Sequence, residues 1–291
     1  MPRISSSSSR GRAPIVSSRA SVRAARRLNF ACGALALSVL LDSALEHYRG
    51  SFHNPVMFTP LLIAPLTLGA SAHGQRDARP LAHRQRQAVY VAAALTGLVG
   101  TGFHVYNVLK RPGRLAWQNL FYGAPLGAPM AILLSGLLGA AAEQVRHTAP
   151  GRSPHVLGRP AGHFLSRLSA VGLLGTTAEA ALLHFRGAYH NPAMIAPVSI
   201  PPIGAALLLR AAAGASPRLR RFTRAWLWLT AALGLVGSAF HAWGVQRNMG
   251  GWRNYSQNLL NGPPLPAPPS FTGLALAGLA GLGLIKGRAD G

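Results

Sequence analysis

The chain has 291 residues, 49% of them apolar and only 12% charged, with a mean hydropathy of +0.24. Soluble domains carry about 25% charged residues, so this composition excludes an ordinary water-soluble protein. Charge is one-sided, with 29 Lys and Arg against six Asp and Glu, and the single cysteine, Cys32, excludes a disulfide framework, a cysteine-rich zinc module and a Cys-x-x-Cys redox pair.

In chain order, residues 1–27 read as a disordered basic cytoplasmic tail, in which Ser5 to Ser9 precede a run of arginines with no acid among them. Such a tail can touch anionic lipid, and its composition also suits an organellar transit peptide. Eight apolar segments follow, near 28–48, 55–73, 88–106, 122–142, 164–185, 193–212, 224–243 and 269–285. A crossing takes about 20 residues per ~30 Å of hydrocarbon. The second, fourth, sixth and eighth segments contain or abut prolines, among them Pro60, Pro65, Pro125, Pro129, Pro197, Pro201, Pro202 and Pro268. Membrane helices tolerate these where neighbouring groups satisfy the freed carbonyls. The predicted fold class is an all-α integral membrane protein with about eight transmembrane helices. A cytoplasmic linker at 144–163 divides it, and a short cytoplasmic tail at 286–291 ends it.

The connections alternate in charge. Those at 1–27, 74–87, 143–167, 209–224 and 286–291 hold 22 of the Lys and Arg, and the opposite set holds seven. Basic residues stay inside, so both termini are expected in the cytoplasm and the protein in the cytoplasmic (inner) membrane, an organellar membrane being the alternative. The charge follows topology instead of forming one patch, so the expected partner is the lipid bilayer and not nucleic acid. Trp117, Tyr122, Trp243, Trp252 and Tyr255 form an aromatic belt on the outer side.

The sequence repeats itself. LDSALEHYRGSFHNPVMFTPLLIAP at 41–65 returns as AEAALLHFRGAYHNPAMIAPVSIPP at 178–202, and GLVGTGFH at 97–104 returns as GLVGSAFH at 234–241, both at an offset of 137. Gln118, Asn119 and Gly123 return as Gln257, Asn258 and Gly262 at an offset of 139. The chain therefore reads as two tandem four-helix repeats, 28–143 and 164–285. Four is even, so the repeats are parallel, related by an axis near the membrane normal.

Each copy shows what the other retains. Three histidines recur near the non-cytoplasmic face: His47, His53 and His104, then His184, His190 and His241. Asp42 and Glu179 recur five residues before the first of each set. A carboxylate in hydrocarbon is costly, so Asp42, Glu46 and Glu179 are expected to be paired or to face a cavity. Five residues rotate about 140° around a helix, so Asp42 and Glu179 suit a supporting place behind a ligand histidine.

The first reading is a cofactor site for electron transfer or membrane redox chemistry. Imidazole with carboxylate suits Fe, Cu or Zn, drawing on all six histidines with Asp42 and Glu179. A haem would take His47 with His104 and His184 with His241 as axial pairs, the glycines at 97, 100, 234 and 237 admitting the macrocycle. Other subunits of a membrane complex, or a quinone, would be partners. Interfacial histidines also donate to backbone carbonyls, and Gly-x-x-Gly also serves close helix packing. Around the site, Arg49 and Arg186 can snorkel or pair with an anion, Asn54 and Asn191 chiefly start helices, and Gln118, Asn119, Gln257 and Asn258 are caps or substrate contacts. His73, His83, His147, His155 and His163 read as solvated. The rival reading is a proton-coupled transporter using the same acids and histidines, and a third is a scaffold or assembly subunit. No phosphate-binding loop, Gly-x-Ser-x-Gly or His-Glu-x-x-His occurs.

Overall fold

The computed structural model describes residues 18–149 and 151–285; the expected tails at 1–17 and 286–291 lie outside them. The described residues are helical nearly throughout. The long helices are α1 (Ser18–Arg49), α2 (Thr59–Arg76), α3 (Arg84–Leu109), α5 (Gly127–Arg146), α6 (Ala161–Arg186), α7 (Ala196–Ala212) and α8 (Pro217–Arg247), and α10 (Pro269–Leu284) is shorter. Two brief helices, α4 (Trp117–Tyr122) and α9 (Tyr255–Asn261), lie at the end of the bundle that carries the six repeated histidines. A two-residue hairpin, β1 (His155–Val156) and β2 (Arg159–Pro160), closes the linker at the other, basic end.

Among the described residues seven segments are long and apolar enough to cross a membrane, and the protein is built as a multi-pass membrane protein. The eighth expected crossing is α10, whose 16 residues extend only about 24 Å at 1.5 Å per residue. Several boundaries differ from the sequence reading, and 144–146, assigned to the linker, end α5. Residues 18–27, assigned to the tail, are the first turns of α1, because Ala20, Ala24 and Ala25 give their arginines a helix-forming face, and Ala24 and Ala25 are buried. Part of the linker, 161–163, already belongs to α6. The prolines are absorbed: Pro65 lies inside α2, and Pro201 and Pro202 inside α7.

The core explains the short α10. Fourteen of its residues, Ser270 to Leu282 and Leu284, are buried against α1, α6 and α8. It is largely apolar and rich in small residues, with glycines at 273, 278, 281 and 283, and backbone approaches backbone: a methyl group at Gly281 would stand 2.9 Å from the Ser166 nitrogen. Within the N-terminal half α1 packs on α2 and α5, and α3 on α5; within the C-terminal half α6 packs on α7 and α10, and α8 on α10. The two junctions between halves are unequal, α1 lying along α10 far more extensively than α6 along α5. Outward, Leu62, Leu98 and Leu235 are each more than half exposed, as a lipid-facing belt requires.

Candidate functional site

All six repeated histidines use the same atom in the same way. Nδ1 of His47 meets the Met57 carbonyl at 2.5 Å and Nδ1 of His184 the Met194 carbonyl at 2.9 Å. His104 bonds the Pro125 carbonyl, and His241 the Pro264 carbonyl at 2.6 Å. His53 and His190 bond the Gly50 and Gly187 carbonyls at 3.0 and 2.9 Å. A carbonyl only accepts, so Nδ1 donates, and Nε2 of each neutral ring remains an acceptor. His47 lies within electrostatic range of His104, and His184 of His241.

The backbone between these histidines is also duplicated. After α1, Ser51 and Phe52 adopt φ of 55° and 45°, and after α6, Ala188 and Tyr189 adopt 53° and 46°. These left-handed pairs turn the chain back so that Phe52 and Tyr189 pack edge-on against His47 and His184, with centroids 6.2 and 6.1 Å apart. The Asn54 side chain then accepts from the Val56 N–H at 3.0 Å and that of Asn191 from Ala193 at 2.9 Å. Both asparagines are helix caps with proline at the first turn. The other pair of amides braces loops: Asn119 donates to the Pro112 and Arg114 carbonyls, and Asn258 to those of Met249 and Gly251. Gln118 and Gln257 are exposed.

The carboxylates gather where the halves meet. Asp42, half-buried on α1, stands within electrostatic range of Glu46, of Glu179 on α6 and of Arg49. Glu179 accepts the Gly127 N–H at the start of α5, at 3.2 Å. Arg49 pairs with Glu46 and donates to the Leu260 carbonyl of α9. Arg186 lies over the Tyr122 ring of α4 at 5.1 Å, beside an edge-on contact of Phe121 with Phe185 at 5.7 Å. Each arginine thus reaches the brief helix of the opposite half.

Two elements of the cofactor expectation meet a different geometry. Among the described residues no group of three or more His, Cys, Asp and Glu is placed to hold a metal ion. The glycine seams expected to admit a macrocycle are occupied by the next helix. A methyl group at Gly97 would stand 2.6 Å from Leu133 Cα, one at Gly100 3.3 Å from Pro129 Cβ, one at Gly234 2.7 Å from the Pro268 oxygen, and one at Gly237 2.9 Å from Pro268 Cβ. These glycines serve backbone packing of α3 on α5 and of α8 on α10.

The sequence reading missed a second polar centre, at the basic end. Arg86 bridges Asp77 at 3.0 Å and Glu143 at 2.9 Å, with all three side chains at most 5% exposed. Fully buried Arg146 donates to the carbonyls of Gly74 and Asp77 at 2.7 and 2.5 Å. The Asp77 carboxyl is held well below the ordinary range, chiefly by its hydrogen bond to Arg79 and also by Arg86. His83, expected to be solvated, has a buried Nδ1 and packs edge-on against His73 at 5.4 Å. These residues have no counterparts in the other half: positions 214, 223 and 282 are Gly, Thr and Leu. Two acids among many basic residues in an otherwise apolar chain were the available signal. Comparison with protein-family models, with curated proteins and with solved structures finds no match.

Proposed function

We propose that the chain is a proton-coupled membrane carrier, with Asp42, Glu46 and Glu179 holding the coupling proton at the junction of the halves and the repeated histidines passing it to the outer surface. In this reading the halves are parallel four-helix repeats with eight crossings, both termini are cytoplasmic, and the bilayer is the cytoplasmic membrane. The observation that carries it is the meeting of Asp42 with Glu179. Two acids at corresponding places of the repeat stand within electrostatic range of one another at the junction, where like charges repel in a poorly screened setting and a positive species is stabilised. The lightly packed side of that junction, between α5 and α6, is where one half can shift against the other. The histidines keep Nε2 open to accept a proton.

The test is proton flux into liposomes bearing the purified protein, driven by a potassium diffusion potential and read by a trapped pH dye. Wild type should acidify the lumen faster than empty liposomes, and Asp42→Asn with Glu179→Gln should remove the difference. Equal rates for wild type, the double variant and empty liposomes would overturn the reading.

A second reading, histidine-held haem or a transition metal for electron transfer, is favoured by the Nδ1 bonds, which fix each ring as metal-ligating histidines are fixed. It would make the protein an anchor for other subunits or a quinone. An optical spectrum and elemental analysis of protein purified from cells replete in haem, iron, copper and zinc decide it. A Soret band or stoichiometric metal, lost when His47, His104, His184 and His241 are replaced together, supports it, and a colourless, metal-free preparation overturns it.

A further inference from the structure

The basic end carries a groove of about 750 Å³ between the start of α3, the end of α5 and the β1–β2 hairpin. One wall is a single face of α3: Ala88, Val91, Ala92 and Leu95 follow the i, i+3, i+4, i+7 spacing. Val91 and Leu95 are 42% and 56% exposed, so the groove is open along its length to the hydrocarbon that surrounds α3. Its mouth is basic. Arg84, His147 and His155 line it, and the first turn of α3 adds the positive end of its dipole. The one acid that lines it, Glu143, already accepts from Arg86 and from the His83 N–H at 2.8 Å.

Two further atoms at the mouth have no partner. Nδ1 of His83 and Oε1 of Gln87 are buried without a hydrogen bond, an arrangement native proteins rarely leave unmet. The groove belongs to the N-terminal half alone. The positions corresponding to Val91 and Ala92 carry Trp228 and Leu229, whose bulk would fill the equivalent channel.

An apolar channel along a lipid-facing helix that ends in a cationic mouth matches one amphiphile class. We propose that this groove is a binding site for an anionic phospholipid of the adjacent leaflet. Its phosphate sits among Arg84, His147 and His155, and one acyl chain lies along Ala88, Val91, Ala92 and Leu95. The proposal needs the membrane placement of α3 but not the proton-carrier reading.

The experiment is native mass spectrometry of the full chain released from detergent, titrated with phosphatidylglycerol and, separately, phosphatidylcholine. One phosphatidylglycerol should be retained per chain in preference to phosphatidylcholine. Arg84→Ala with His147→Ala and His155→Ala should weaken that retention about tenfold. Val91→Trp, which keeps every charge but fills the channel, should abolish it, and circular dichroism of both variants checks that they fold. Equal retention of the two lipids, unchanged retention in folded Val91→Trp, or displacement by millimolar inorganic phosphate would overturn the proposal, the last by assigning the mouth to a free anion.

Discussion

Glu179 accepts the backbone N–H of Gly127, and the position that corresponds to Gly127 in the C-terminal half is Pro266, which has no N–H to offer Asp42. The two repeated acids are therefore held unequally: Glu179 is tied to the start of α5, while Asp42 has Glu46, Glu179 and Arg49 within electrostatic range. A side chain at Gly127 would also collide with the Glu179 carboxylate. Gly127→Ala should displace Glu179 and cost about 1–3 kcal/mol, the usual range for overpacking. Thermal unfolding in detergent measures it, with Pro266→Ala as the control expected to stay within about 1 kcal/mol.

At the basic end the ion pairs of Arg86 with Asp77 and Glu143 are buried, so removing one member strands the others. Glu143→Gln should destabilise by about 3–5 kcal/mol, the cost of breaking a buried pair. In a double-mutant cycle with Arg86→Met the two losses should fall far short of additive. Denaturant unfolding of the four proteins provides the cycle, and additive losses would show that the pair is not coupled.

Asp77 gives this end a pH dependence of defined sign. Its folded carboxyl is held below the ordinary range, so the stability it contributes is fully present above its unfolded value of about 4. That contribution is lost as pH falls from there towards the folded value. Melting temperature between pH 5 and pH 2 should therefore fall less steeply in Asp77→Asn than in wild type, from a lower starting value at pH 7. Parallel slopes would remove Asp77 from the acid limb.

The Asn54 and Asn191 side chains cap helical turns, a role that aspartate fills equally well and alanine does not. Asn54→Ala and Asn191→Ala should each cost about 1 kcal/mol, while the aspartate versions should keep both stability and proton flux. A flux loss in the aspartate versions at unchanged melting temperature would instead place these side chains on the transported species.

What could be read from the sequence was what hydrophobicity and duplication encode. Apolar runs gave the helices, and the offset of 137 brought out His47 with His184 and Asp42 with Glu179, whose surroundings match bond for bond at the histidines. The same comparison hid the basic-end centre, because Asp77, Arg86 and Glu143 have no second copy. It also misjudged His83, which packs against His73 of α2 and bonds Glu143 at the end of α5. The glycines at 97 and 234 have two meanings in sequence, room for a cofactor or room for a helix. Only the positions of Leu133 and Pro268 distinguish them. Charge patterning likewise ended the tail at 27, since arginines on the far face of α1 mask the buried Ala24, Ala25 and Leu28.

The left-handed turn after each first helix provides the last test. Ser51, Phe52, Ala188 and Tyr189 all hold positive φ, which costs a residue with a Cβ about 1 kcal/mol or more. The strain is maintained by the Phe52 and Tyr189 N–H groups, which bond the His47 and His184 carbonyls at 3.0 and 3.1 Å, and by the ring contacts with those histidines. At Ala188 the side chain is exposed, so Ala188→Gly relieves the strain without removing a contact and should raise stability by about 1 kcal/mol. Tyr189→Gly relieves the same strain but also removes the ring from His184 and the hydroxyl from the Ala181 carbonyl, to which it donates at 3.2 Å, and should destabilise. Opposite signs for two glycine substitutions at adjacent residues, read by thermal unfolding, would show that the turn is held by what it does for His184. Stabilisation by both would show that the aromatic contact contributes nothing.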